Sequence, residues 1–192
     1  MNHFVDDIQV KSASTYSRRS FLKGLGATMT TVAVIHPVNA LAKLSAERRL
    51  VFYNTHTSEK LDVIYFSGGR YLPDALNEMD HLFRDHRTGE VHAMDPGLFD
   101  ILHGLASLAK PTESFQIISG YRSPSTNAML RKRSKGVARK SFHMRGQAVD
   151  IRLPGVDTKR LRDMAITLRQ GGVGYYRKSD FIHVDTGRVR SW

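Results

Sequence analysis

Ser141-Phe142-His143-Met144-Arg145-Gly146-Gln147-Ala148-Val149-Asp150 brings an imidazole, a turn glycine and a carboxylate within one short stretch. Gly146 lets the backbone turn through positive φ. Residues 148–153 then alternate as a strand does, which sets Ala148 and Asp150 on one face. The small Ala148 leaves room beside the carboxylate. A second imidazole follows in Phe181-Ile182-His183-Val184-Asp185, an apolar and β-branched run that reads as another strand. Neighbouring strands would bring the two histidines and Asp150 together.

Two imidazole nitrogens and one carboxylate oxygen form a donor set that zinc accepts, leaving a further position open. We therefore expect His143, Asp150 and His183 to hold one zinc ion. The sequence contains no cysteine, so thiolate metal sites, disulfides and cysteine nucleophiles are excluded. Upstream, residues 115–119 read as a strand that delivers Gly120-Tyr121-Arg122-Ser123 to its end, where functional side chains commonly sit. Arg122 offers a planar fork of donors for a substrate carboxylate or a developing oxyanion. Ser141 holds either a loop or the substrate by hydrogen bonds. Between these motifs, residues 131–140 carry six basic residues in ten, read either as a solvated loop or as a substrate-facing rim.

Outward from the site, residues 50–54 and 61–66 read as paired strands. Leu76, Met79, Leu82 and Phe83 have helical spacing after Pro73. Asp95 and Pro96 begin a second helix with Leu98, Ile101, Leu102, Leu105 and Leu108 on its buried face. Ser125 is placed to cap a short helix through Leu130. Asp157 caps a helix from Thr158 to Gln170, stopped by Gly171. Gly172 to Tyr176 reads as a strand of close-packed backbone. The expected class is α+β, with strands paired locally in a small antiparallel sheet beside packed helices.

At the other end, Ser17-Arg18-Arg19-Ser20-Phe21-Leu22-Lys23 is a twin-arginine export motif. The apolar stretch from Gly24 to Ile35 falls short of the roughly 20 residues that span a bilayer, so no stable membrane span is expected. Ala40-Leu41-Ala42 reads as a cleavage signal, dividing the chain into a signal peptide, residues 1–42, and one zinc domain, residues 43–192. The partners are then the twin-arginine translocase during export and a substrate in the periplasm or cell envelope. The formal net charge of +11 falls only to +9 when residues 1–42 are removed, which favours a polyanionic partner. Export redirects that partner away from nucleic acid and towards cell-wall carboxylates.

The pattern Ser141-x-His143-x-x-Gly146-x-Ala148-x-Asp150, with His183 on a later strand, resembles the zinc peptidases of the D-alanyl-D-alanine carboxypeptidase, lysostaphin and hedgehog superfamily. Ser119 to Ser123, Gly171 to Tyr176 and Phe181 to Gly187 look like its YcbK (MepK) murein endopeptidase branch. The resemblance implies a hydrolase acting on peptidoglycan stem peptides, at D-alanyl–diaminopimelate or diaminopimelate–diaminopimelate cross-links, and it gives Arg122 and Ser123 places in substrate binding. Carboxypeptidase activity and a non-catalytic zinc-containing wall-binding module are the alternatives. Relatives of the carboxypeptidase type carry a Glu three residues before the last zinc His, or a His two before it. Here those positions are Asp180 and Phe181, so the expected general base is Asp180, with Asp185 as orienter or alternative base. His-Glu-x-x-His, the phosphate-binding loop and Gly-x-Ser-x-Gly are all absent from the sequence.

Overall fold

A computed structural model describes residues 47–192; the twin-arginine motif, the apolar stretch after it and the Ala42 cleavage signal lie outside the described residues. The chain opens with strands β1 (Arg48–Asn54), β2 (Lys60–Ser67) and β3 (Arg70–Tyr71), then helices α1 (Pro73–Leu82) and α2 (Pro96–Ala109). Strand β4 (Phe115–Ser119) and helix α3 (Pro124–Arg133) lead to a 3-10 turn, Phe142–Arg145, and strand β5 (Ala148–Arg152). Helix α4 (Thr158–Leu168) and strands β6 (Gly172–Tyr176), β7 (Phe181–Asp185) and β8 (Arg190–Ser191) complete it.

Among the described residues, eight strands form one sheet, in the order β3-β2-β1-β4-β5-β7-β6-β8. The α+β class holds, but the sheet is neither small nor wholly antiparallel. β1 runs parallel to β4, and β6 parallel to β8. The first parallel pair is possible because α1 and α2 supply the long crossover that parallel strands require. The helices therefore set strand order as well as covering the sheet.

Burial follows chemistry. Phe52 from β1, Phe99 from α2 and Phe115 from β4 are almost completely buried with Phe83 at the end of α1. Phe83 meets Phe52 edge-on at 5.1 Å and Phe99 at 5.5 Å. Truncating such a ring to Ala costs about 3–5 kcal/mol. Asp95 caps α2 as expected, its Oδ1 accepting from the Gly97 N–H at 2.9 Å. Its Oδ2 accepts from Thr186 Oγ1 at 2.7 Å, so the cap also ties α2 to the end of β7.

Three local expectations are corrected. Ser123, not Ser125, caps α3, and the helix runs on to Arg133. Arg131, Lys132 and Arg133 thus occupy its last turn, where cations favour the helix dipole. α4 stops at Leu168, with Arg169 in the left-handed region at φ 52°. Gly171 instead lets the backbone approach β7, where a Cβ would lie 1.8 Å from the Asp185 carbonyl oxygen. Leu108 is 46 % exposed rather than part of the buried face of α2.

Candidate metal centre

The sheet register assembles the site. β5 and β7 pair so that Asp150 faces His183 and Ala148 faces Asp185. The 3-10 turn before β5 adds His143; Ser141 Oγ caps it by accepting from the His143 N–H at 3.3 Å. Gly146 closes that turn at φ 66°, and a Cβ there would lie 2.2 Å from the Ala93 carbonyl oxygen. Any other residue would push the turn away from the segment before α2.

His143, Asp150 and His183 are all buried, with donor atoms within 4.8 Å of one another. His143 Nε2 lies 3.2 Å from His183 Nδ1 and 3.3 Å from Asp150 Oδ1. His183 Nδ1 lies 2.9 Å from Asp150 Oδ1. Donors about 2.0–2.1 Å from a tetrahedral zinc stand about 3.3 Å apart, so this triangle is close to one face of such a site.

The outer nitrogens are also held. His143 Nδ1 meets the Gly120 carbonyl oxygen at 2.8 Å, and His183 Nε2 meets Asp185 Oδ2 at 3.1 Å. Asp185 is fully buried and is held by Arg190 at 2.6 Å and by the Gly187 N–H at 2.8 Å. Such partners orient a ligating imidazole and raise its basicity. Here they leave His143 Nε2 and His183 Nδ1 as the inward donors.

Burial and neighbouring charges shift all three groups. Burial holds the His143 pKa down and so favours the neutral imidazole. Burial opposes charge on His183 as well, but Asp150 and Asp185 outweigh it and hold its pKa at about 8. Asp150 is disfavoured as an anion by burial, yet the two imidazoles keep its carboxyl well below the usual range. Two imidazoles and a carboxylate within 4.8 Å of one another are a donor set that fits a divalent metal.

The cluster opens onto a cavity of about 440 Å³ walled by residues that include Arg122, Val137, Lys140, Ser141, Tyr176 and Trp192. A family model described as peptidoglycan L,D-endopeptidase MepK matches residues 42–192. The chain belongs to this family. Peptidoglycan L,D-endopeptidase MepK of Escherichia coli (strain K12) is 42 % identical over 178 residues, 92 % of this chain and 97 % of that protein. The probable peptidoglycan L,D-endopeptidase MepK of Haemophilus influenzae is 40 % identical over 177 residues, 92 % and 95 % of the two chains. No solved structure matches the chain.

In this MepK-family chain, Arg122 is brought to the cluster: its Nη2 lies 3.7 Å from Asp150 Oδ2 and donates to Ser119 Oγ at 3.3 Å. Burial presses the Arg122 pKa down, while Asp150 opposes that shift. Ser141 reaches the cavity wall with its oxygen accepting in the turn cap. Ser123 is fully buried, and its Oγ accepts from the Thr126 N–H as the α3 cap. That side chain is committed to the scaffold. Asp180 is not brought to the cavity. Its side chain is 63 % exposed, accepts from Thr158 Oγ1, and lies 3.7 Å from Arg152 across a separate shallow pocket. Asp185 sits behind His183, away from the inward donors, as an orienting group.

Two wall residues escaped sequence reasoning, Tyr176 and Trp192. The alternation of Gly172, Gly174 and Tyr176 along β6 was the available signal, because all three share the face of His183. It becomes legible only with the β6–β7 register in hand.

Proposed function

We propose that this chain is a zinc-dependent peptidoglycan endopeptidase of the cell envelope, exported by the twin-arginine route, with His143, Asp150 and His183 as the metal ligands. One observation carries the reading: two buried imidazoles, each tethered through its outer nitrogen, converge with a carboxylate at the floor of a basic-walled cavity. Zinc held there supplies Lewis acidity towards an amide carbonyl and acidifies water. The relatives' L,D designation favours the diaminopimelate–diaminopimelate cross-link, since a D-alanyl–diaminopimelate link joins two D centres.

The chain's own residues bind and orient the substrate. Among the described residues, Arg122 makes a single side-chain hydrogen bond, from Nη2 to Ser119 Oγ. Its Nε–H is buried with no acceptor. The guanidinium therefore has donors to spare for a stem-peptide carboxylate or the oxyanion of the bond being cut. Lys140 and residues 136–138 also line the cavity, within the exposed basic stretch 131–140. A stem peptide rich in free carboxylates suits that wall. Asp185 and the Gly120 carbonyl fix the two imidazoles, so the donors are preorganised.

The test is a chromatographic digest of purified cross-linked muropeptide dimers with zinc-loaded residues 43–192, run beside a chelated sample and His143→Ala. Monomers appearing only with intact, metal-loaded protein support the reading, and their stem lengths name the bond. Surviving dimers with one equivalent of zinc bound would leave a wall-binding module instead.

A further inference from the structure

Strand β6 carries Gly172, Gly174 and Tyr176 on the face it shares with β7, where they oppose Asp185, His183 and Phe181. The two glycines are a clearing. A Cβ at Gly174 would lie 2.7 Å from the Trp192 ring, and one at Gly172 would lie 2.1 Å from an Arg190 nitrogen. Trp192 and Arg190 occupy that clearing, and the Trp192 ring lies 5.4 Å from the His183 ring. Beyond it Tyr176 is the first residue on this face of the strand to bear a side chain.

Tyr176 is 38 % exposed, and it lines the metal-centre cavity with Arg122. Its ring is fixed by stacking on Phe181, with centroids 4.7 Å apart and planes 19° from parallel. Its hydroxyl accepts from Trp192 Nε1 at 3.4 Å. A phenol has one proton to donate, and among the described residues the Tyr176 hydroxyl donates to none. A lone pair is engaged by the indole, so the proton is left for the cavity. Apart from Asp150, the residues walling the cavity include no side-chain carboxylate.

We propose that Tyr176 is a further catalytic residue: its hydroxyl, aimed by Trp192 and facing the same space as Arg122, donates a hydrogen bond to the carbonyl oxygen of the scissile amide as that carbon becomes tetrahedral. Water adds to the carbonyl carbon, the C–N bond breaks with its electron pair on nitrogen, the amine leaves with a proton given up by the water, and Tyr176 keeps its own proton throughout. The hydrogen bond strengthens as charge builds on the oxygen, so its contribution falls on turnover rather than on substrate affinity. The role rests on the endopeptidase reading above.

The test compares the zinc-loaded full chain with Tyr176→Phe and Trp192→Phe on muropeptide dimers. Zinc content and the affinity of a phosphinate analogue of the cross-link are measured in parallel. Tyr176→Phe keeps the ring stack, so the fold and one equivalent of zinc are retained. We expect kcat to fall about 100-fold, with phosphinate affinity falling by a similar factor and KM little changed. Trp192→Phe keeps an aromatic ring but frees the phenol, and kcat should fall by less. A rise in KM alone, unchanged kinetics, or loss of zinc from Tyr176→Phe would each overturn the role. A wild-type chain that cuts no dimer would overturn the endopeptidase reading itself, and this role with it.

Discussion

His183 is held from both sides, by Asp150 at 2.9 Å on its inward nitrogen and by Asp185 at 3.1 Å on its outward one. The outward bond selects the tautomer: a proton kept on Nε2 leaves Nδ1 free to ligate. Arg190 makes this selection firm by neutralising Asp185, whose carboxyl it helps hold well below the usual range against burial. Replacing Asp185 with Asn should therefore weaken zinc affinity about 10- to 100-fold, as losses of such orienting partners do. Competition with a fluorescent chelator measures this, and unchanged affinity would show that His183 needs no orienter. That His143, Asp150 and His183 cluster was legible from donor chemistry and strand alternation. The fate of Asp180 was not, because a side chain's distance from a ligand in sequence does not say which way a left-handed turn points it. At φ 52° the Asp180 backbone directs its carboxylate to Thr158 and Arg152.

At the scale of elements, β6 decides what stands over the histidines. Its glycines admit Trp192, and the side chain of Tyr176 then closes the wall. Gly174→Ala should displace the indole and lower activity while the sheet still forms. Trp192 is the only tryptophan in the chain, so its emission spectrum reports the displacement directly. Emission identical to wild type would contradict the packing described. Helix starts were readable because Asp95 and Asp157 sit just before helical runs and accept from backbone N–H groups there. The parallel pairing of β1 with β4 was not readable. Their partners lie about sixty residues apart, as Phe52 and Phe115 do, and no local pattern encodes a register across that distance. The mixed sheet follows from that one non-local pairing and from the closing strand β8.

For the whole molecule, charge and acidity give two further expectations. Six cations over residues 131–140 stand next to the cavity, so KM for an anionic peptide should rise with salt. Neutralising Lys135, Arg139 and Lys140 to Gln should raise KM, leave kcat unchanged and flatten that salt dependence; steady-state kinetics at two ionic strengths decide it. His86 stacks on His56 at 3.7 Å, joining the turn after α1 to the turn after β1. Burial, with the nearby charges of His56 and Arg87, pushes its pKa down from 6.5 to about 4. Between those values the unfolded chain binds the proton more readily, so this contribution to stability is full above pH 6.5 and is lost as pH falls towards 4. Denaturant titrations of His86→Phe should show a smaller loss over that window than wild type, and an equal loss would contradict it. The most direct test of the central claim is anomalous diffraction at the zinc edge from crystals of the metal-loaded protein. A single peak about 2.0–2.2 Å from His143 Nε2, His183 Nδ1 and an Asp150 oxygen is predicted. A peak elsewhere, or none at this cluster with one equivalent of zinc bound, would contradict it.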